Sequence, residues 1–325
     1  MTFEQLLLLK NQLQNLSFAD VTQQISARFD LISDQINRHE QVFDSEQVSK
    51  LYVVHESIQK SCEQFDAELS LYKQKIDAKI VEQSTYWFQK SHAQYEKLLQ
   101  TGYAQHIESA GIHRNKKTSL PVSLETQLRA RVAKYTSWKH PAMCIHPMNE
   151  YFVDDMVAGD PLYLVDESQF LLDTTMRRFG TTYQNRLRLY TIKESFDHAV
   201  LQALPDNQFG FCLVYNYLNY RPFELVKQYL AEIYNKLLPG GTVALTYNDC
   251  DLHTAIQMVE QDITCYTPGS LIRGWAQHLG YEEIWICQDL EPTIWLELKK
   301  PGILKSLRGG QALAQVLPKS VAESK

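Results

Sequence analysis

The sequence predicts an α/β domain built on a mostly parallel sheet, preceded by a long all-α coiled-coil arm. The first observation behind this division is where the helix-breaking residues lie. All 13 glycines and all 11 prolines follow residue 101, so the first hundred residues, rich in Gln, Lys, Glu and Leu, have the composition of uninterrupted helix. The second observation is an apolar run, a helical pattern and another apolar run within residues 211–246. Two strands joined tightly through a helix form the crossover unit of a parallel sheet.

The arm is predicted to contain three helices, over residues 2–15, 18–42 and 46–100, the last ending near Gly102. Its apolar residues recur at steps of three and four, which is the coiled-coil pattern. The first series is Phe18, Val21, Ile25, Phe29, Ile32, Ile36 and Phe43, and the second is Leu51, Val54, Ile58, Cys62, Phe65, Leu69, Tyr72, Ile76 and Ile80. This pattern predicts association with copies of the same chain or with another coiled-coil partner. The alternative is a hairpin of the second and third helices within one chain, which would leave about half of the long helix uncovered.

Four segments follow from these patterns. We expect a helical arm over residues 1–102, a linker over 103–121, the α/β domain over 122–300 and a tail over 301–325. The linker carries a basic cluster at residues 113–117. This cluster could contact phosphate or an acidic partner, but charge runs are more often solvated, and a solvated linker is the simpler interpretation.

Strand and helix signals alternate in order across the α/β domain. The predicted strands are Pro141–Ile145, Pro161–Asp166, Arg186–Thr191, Phe211–Val214, Thr242–Thr246, Glu283–Cys287 and Thr293–Leu298. Helices are predicted over Ser123–Tyr135 and Phe170–Phe179, from Pro222 onward, and over Thr267–Gly280. Pro222 suits the first position of its helix, and Pro239-Gly240-Gly241 is expected to end it.

This order, with Leu237-Leu-Pro-Gly-Gly241 between a helix and a strand, resembles the class I S-adenosylmethionine-dependent methyltransferase fold, a Rossmann-like sheet. The resemblance implies an antiparallel final hairpin at the sheet edge and S-adenosylmethionine as the cofactor. It also implies that a carboxylate after the second strand binds the cofactor ribose. Asp166 and the neighbouring Glu167 occupy that position.

The turn after the first strand departs from this family. Glycine is needed there so that the backbone can approach the cofactor. This chain instead has His146-Pro147-Met148-Asn149-Glu150. Proline also removes a backbone N–H donor. The cofactor-site candidates are therefore His146, Asn149, Asp166 and Glu167, and we expect weak S-adenosylmethionine binding.

The loop after the fourth strand is where the family lines its acceptor site. The acceptor-site candidates in it are Tyr215, Asn216, Tyr217, Asn219 and Tyr220. Their amides and rings could hold a planar or amine acceptor. Alternatively, the two asparagines hydrogen-bond a tight turn while the tyrosines pack outward. No metal site is expected, and an Asx-rich turn is the simpler interpretation of Asn248, Asp249 and Asp251.

Composition restricts the remaining function classes. The formal net charge of −6 argues against a nucleic-acid-binding surface. We find neither a membrane span nor a signal peptide, and the six cysteines lack CxxC spacing, which is typical of buried free thiols in a reducing, cytoplasmic compartment.

Three functions remain open. The first is a methyltransferase-like protein that is weak or inactive as an enzyme and serves as an oligomeric structural module, within a larger particle for example. The second is an active methyltransferase with an unusual cofactor loop, and the third is a Rossmann-like binder of another nucleotide.

Overall fold

The computed structural model describes residues 2–14, 16, 19–38, 44–101, 120–147 and 152–306. The chain divides into two compact units, Met1–Tyr86 and Trp87–Lys325. This division lies inside the long helix. The predicted arm boundary at residue 102, most of the predicted linker and the tail beyond residue 306 lie outside the described residues and stay predictions.

The first unit is helical. Its helices are α1 (Phe3–Gln14), α2 (Ala19–Arg38) and the start of α3 (Ser45–Thr101), close to the three predicted helices. With 57 residues, α3 is about 85 Å long at 1.5 Å per residue.

Helices α1 and α2 both contact α3 within this unit. The Phe29 ring of α2 stacks on His55, with 3.8 Å between ring centroids, and meets Tyr52 edge-on at 5.1 Å. On α1, Lys10 pairs with Asp77 at 2.9 Å. The predicted contact between the second and third helices is therefore present within a single chain.

These contacts do not bury the apolar stripe of α3. Cys62 and Ile76 are buried. Five other members of the stripe are between 36 and 61% exposed: Leu51, Val54, Ile58, Phe65 and Tyr72. Phe18 and Phe43 of the predicted seam lie outside the described residues.

The second unit contains a mixed seven-stranded sheet, as predicted. Its strands are β1 (Ala142–Ile145), β2 (Leu162–Asp166), β3 (Leu187–Thr191), β4 (Phe209–Val214), β5 (Leu237–Asn248), β6 (Glu282–Cys287) and β7 (Thr293–Lys299). Their order is β3-β2-β1-β4-β5-β7-β6. Strands β1 to β5 pair in parallel, whereas β7 is antiparallel to both β5 and β6. The predicted antiparallel hairpin is thus confirmed, with β6 at the edge.

Helices cover both faces of this sheet. They are α4 (Val122–Tyr135), α5 (Gln169–Arg177), α6 (Thr181–Gln184), α7 (Phe223–Lys236), α8 (His253–Glu260) and α9 (Gly269–His278), with short 3₁₀ turns at Val153–Met156 and Leu218–Tyr220. Alternate residues of β1 face opposite sides, as the two-residue period of a strand requires. Met143 and Ile145 share a core with α7 and α9, while Ala142 and Cys144 share one with α4. Burial on both faces explains why the strand sequences are continuously apolar.

The junction between α7 and β5 differs from the prediction. Helix α7 ends at Lys236, and β5 begins at Leu237, so Pro239-Gly240-Gly241 lies in the strand and does not end the helix. Gly240 has φ +83°, and a Cβ there would lie 2.3 Å from the Leu304 amide nitrogen. Glycine is therefore required by the chain that follows β7, because any side chain would collide with its backbone. Helix α8 was not predicted.

Candidate functional site

In a doubly wound sheet, ligands bind outside the carboxyl ends of the strands, where the strand order reverses. Here that point lies between β1 and β4. Five buried side chains follow the carboxyl ends of β1 to β4: His146 after β1, Asp166 at the end of β2, Glu194 after β3, and Tyr217 and Arg221 after β4. The structure therefore brings together residues that are up to 75 positions apart in the sequence (221 − 146).

His146 and Asp166 form a buried pair. The imidazole Nδ1 lies 2.8 Å from Asp166 Oδ2, and the other carboxylate oxygen accepts a bond from the Ser168 N–H at 2.9 Å. His146 has φ +59°, the left-handed conformation that favours glycine. Burial raises the pKa of Asp166, but the charge and hydrogen bond of His146, the Ser168 N–H and Arg221 outweigh burial, so this pKa lies below its usual value.

Arg221 is the centre of a second buried cluster. Its Nε donates to Glu194 Oε1 at 2.9 Å, and its Nη2 donates to Glu167. The guanidinium also lies over the Tyr217 ring, 3.5 Å from the centroid. The Tyr217 ring in turn stacks on His146 at 5.2 Å, so the cluster and the pair are in contact. We call these residues, together with the tyrosines that bind Glu194, the crevice network.

Tyrosine hydroxyls complete the bonding of Glu194. The Tyr229 hydroxyl donates to Glu194 Oε1 at 2.5 Å, and the Tyr217 hydroxyl lies 2.7 Å from the same atom. Burial raises the pKa of both tyrosines well above 10. Both hydroxyls therefore keep their protons at neutral pH and stay donors to the carboxylate.

The end of α3 closes this network from outside the sheet. Tyr95 is fully buried, and its hydroxyl donates to Glu194. The same turns of α3 hold loops of the second unit: His92 stacks on Phe196 at 4.3 Å, and the Ser91 hydroxyl accepts the Tyr266 N–H at 3.0 Å. Residues 87–101 thus belong structurally to the sheet domain.

The acceptor-site candidates separate into different surroundings. Tyr215 packs on the opposite face of the sheet, edge-on to Phe152 at 4.9 Å. Tyr217 joins the crevice network, and Tyr220 is half-buried. The alternative in which the tyrosines pack outward is therefore wrong for Tyr215 and Tyr217, because both rings are taken up by aromatic packing.

The two asparagines of this loop build its turn. Asn216 has φ +50°, and its N–H donates to Thr246 Oγ1 at 2.6 Å. Asn219 Nδ2 donates to Asn216 Oδ1 at 3.0 Å and to Asn248 Oδ1 at 3.3 Å. These bonds tie the loop after β4 to the end of β5, as the turn interpretation expects.

The Asx-rich segment after β5 supports a helix. Asp249 Oδ1 accepts the Gly269 N–H at 2.9 Å, and Asp251 Oδ2 accepts the Ser270 N–H at 2.6 Å. Both carboxylates therefore satisfy the first amides of α9. Over the described ranges, no group of His, Cys, Asp or Glu side chains has the arrangement of a metal site.

The strand order with an antiparallel β7 decides the fold. This sheet is that of the class I methyltransferases. No protein-family model and no curated protein sequence matches the chain.

Three solved structures illustrate the similarity, all at low identity. A chain of the complex between the Haloferax volcanii Trm112 methyltransferase activator and a putative methyltransferase is 12% identical, with 64% of this chain and 98% of that chain covered and a TM-score of 0.45. A putative methyltransferase from Bacillus halodurans is 9% identical, with coverages of 54 and 99% and a TM-score of 0.44. The N-methyltransferase NodS from Bradyrhizobium japonicum, solved with S-adenosyl-L-homocysteine, is 11% identical, with coverages of 61 and 98% and a TM-score of 0.43. None of them transfers an activity to this chain, because fold does not grant function.

The residues at the switch point do not fit S-adenosylmethionine as they stand. A ribose would need the Asp166 carboxylate, which is only 3% exposed and bonded through both oxygens. Its partner His146 stacks on the Tyr217 ring, and the fully buried Arg221 lies over the same ring. Asn149 lies outside the described residues, so its predicted role stays a prediction, as do the binding roles of the other candidates.

Sequence reasoning missed four members of this network: Tyr95, Glu194, Arg221 and Tyr229. Glu194 follows β3 much as Asp166 ends β2, and that position was the available signal. Arg221 precedes the proline ahead of α7 and is the only charged residue between Asp206 and Glu224. Tyr95 lies on the arm helix, and nothing in its local sequence points to the sheet.

Proposed function

We propose that this chain is a methyltransferase-fold protein that is weak or inactive as an enzyme and serves as a structural module that assembles through its helical arm. The observation that carries the proposal is the crevice network. Arg221 and Glu194 form an ion pair in which both side chains are fully buried. The pair lies at the position where this fold would bind its cofactor. In a second pair, His146 binds the Asp166 carboxylate, which is the group that a ribose would need.

The energetic argument compares two magnitudes. Separating a buried ion pair by taking away one partner costs about 3–5 kcal/mol. A ligand with a dissociation constant of about 0.1 mM supplies only about 5 kcal/mol of binding free energy. A cofactor that had to displace Arg221 or Asp166 from its partner would therefore lose most of its affinity.

The arm supports the assembly half of the proposal. Its long stripe is exposed at five apolar positions, and exposed apolar surface of this extent is typical of an interaction site. The described helices include none that is both long and apolar enough to cross a membrane, so the exposed stripe is not a bilayer-spanning segment. The six cysteines are free and buried, as predicted, which agrees with the proposed cytoplasmic location.

Titration calorimetry of the full chain with S-adenosylmethionine, and with its demethylated product, tests the enzymatic half. We expect dissociation constants no tighter than about 0.1 mM. Asp166→Ala is the informative variant, because it removes the carboxylate at the end of β2 that the resemblance assigns to the ribose. Micromolar binding by the natural chain that is lost in Asp166→Ala would overturn this half of the proposal and favour the active methyltransferase instead.

A further inference from the structure

The exposed stripe on α3 carries an ordered pattern of charge. Ile58, Phe65 and Tyr72 recur at intervals of seven residues and are 39, 56 and 61% exposed. Residues seven apart lie almost on one line along an α-helix. Three residues after Phe65 comes Glu68, and three residues after Tyr72 comes Lys75, both exposed. Residues three apart share a helix face, so an acidic and a basic side chain flank the same apolar line, one after the other.

Two copies of this charge pattern complement each other in only one relative orientation of the helices. If two copies of α3 lie side by side in parallel and in register, each side chain faces its own copy, and Glu68 meets Glu68. If they run antiparallel about a two-fold axis between Glu68 and Lys75, each Glu68 meets the Lys75 of the other copy. A closed dimer requires such an isologous contact, in which the same patch serves both copies. Exposed ion pairs add little affinity, but they select orientation and register.

We propose that two copies of this chain pair antiparallel through the α3 face formed by Phe65, Glu68, Leu71, Tyr72 and Lys75. The proposal rests on the assembly role proposed above and adds the partner, the face and the direction. Tyr72 of each copy meets Leu71 of the other next to the axis, and both side chains are exposed in the single chain. These contacts supply the apolar surface, and the two reciprocal Glu68–Lys75 contacts determine the register. The two-fold axis then crosses α3 next to Leu71 and Tyr72.

Charge exchange in the full chain tests the direction. Glu68→Lys alone, and Lys75→Glu alone, each place like charges together twice per dimer, so we expect each to weaken the dimer dissociation constant about tenfold in sedimentation equilibrium. The double variant, Glu68→Lys with Lys75→Glu, restores both contacts and should return to within about twofold of the natural chain. The matched control is the double exchange at Glu56 and Lys60, a surface pair 2.7 Å apart that lies at least eight residues before Glu68, and it should leave the constant unchanged.

A spin label gives an independent distance. With Ser57→Cys labelled, the antiparallel dimer separates the two labels by about 43 Å along the helix axis, at 1.5 Å per residue. A parallel dimer would bring them within about 20 Å, the width of two adjacent helices. The labelled chain keeps Glu68 and Lys75, so the distance still tests the direction of pairing if a charge variant loses helical structure.

The outcomes distinguish the two proposals. A stable dimer in which the double exchange fails to recover, or in which the labels lie within about 20 Å, overturns the antiparallel pairing and leaves the assembly role intact. A chain that stays monomeric at all accessible concentrations overturns both.

Discussion

At the scale of single residues, the decisive feature is how charge is buried at the carboxyl ends of the strands. Glu194 has four donors around it, from Arg221 and three tyrosines. A buried carboxylate is tolerated only when its bonds are satisfied in this way. The network is therefore a structural element of the sheet domain.

Glu194→Gln should destabilise the chain by about 3 kcal/mol, because it leaves the buried Arg221 short of its partner charge while keeping the side-chain shape. The free energy of unfolding in urea measures this loss. The control is Glu283→Gln, which breaks a solvent-exposed pair with Arg273 at 2.8 Å and should cost under about 1 kcal/mol. Equal losses in the two variants would contradict the structural role of the network.

Acid stability should depend on Asp166. Its pKa in the folded chain lies below the unfolded value, because the partners around it outweigh burial. The pair therefore stabilises the fold above about pH 4, the unfolded pKa, and that stability is lost as the pH falls through the folded pKa. Asp166→Asn should flatten the decline in unfolding free energy between pH 6 and about pH 3. An unchanged decline in the variant would show that other carboxylates carry it.

At the scale of elements, the junction of α7 and β5 shows how one motif can be recognised while its role is misread. Leu237–Gly241 marks the entry to a central strand, and Gly240 is required where the chain after β7 passes over it.

Helix α4 is attached to β7 through an ion pair and held against β6 by a contact between a guanidinium and an aromatic ring. Arg131 binds the buried Glu297 through Nε at 2.6 Å and Nη2 at 2.5 Å, and its guanidinium lies 3.8 Å from the Trp285 ring centroid.

Two glycine substitutions should act in opposite directions. Gly240→Ala should cost more than about 1 kcal/mol, because alanine is strained at φ +83° and its Cβ meets the Leu304 backbone. Gly274→Ala should instead stabilise the chain by up to about 1 kcal/mol, because Gly274 lies inside α9 with nothing within 4 Å of an added Cβ. Thermal unfolding of the two variants side by side measures both effects. A loss of stability in Gly274→Ala would contradict the open surroundings described here.

At the scale of the whole molecule, a helical unit with an exposed apolar stripe and a sheet domain with a continuous core share one long helix. Exposed apolar residues are numerous on the first unit and scattered on the second. This asymmetry is the reason to expect assembly through the arm.

Ile58→Asp with Phe65→Asp should therefore dissociate the assembly, as light scattering would detect, while leaving the sheet domain folded. Charged side chains cannot be buried in an apolar seam without a large desolvation cost. Phe170→Asp provides the control, because Phe170 is 62% exposed on the second unit and should not change the molecular mass. Dissociation by Phe170→Asp as well would point to an interface on the sheet domain.

The sequence by itself predicted the helices of the arm, the strands in their order along the chain and the buried free cysteines, and it offered turn-building as one of two roles for the asparagines after β4. These features rest on local periodicity, on glycine and proline positions, and on hydrogen bonds between near neighbours, all of which can be seen in a short window of residues. The β1 turn could be recognised as unusual for the same reason, since the missing glycine is visible at residue 146.

Only the tertiary structure decided what occupies the crevice. Tyr95, Glu194 and Arg221 are separated by 99 and 27 positions, and no local pattern indicates that they meet. Their meeting depends on where the end of α3 packs and on which strands are neighbours in the sheet. A buried charge is stable only with its partners in place, so the network exists only in the assembled fold.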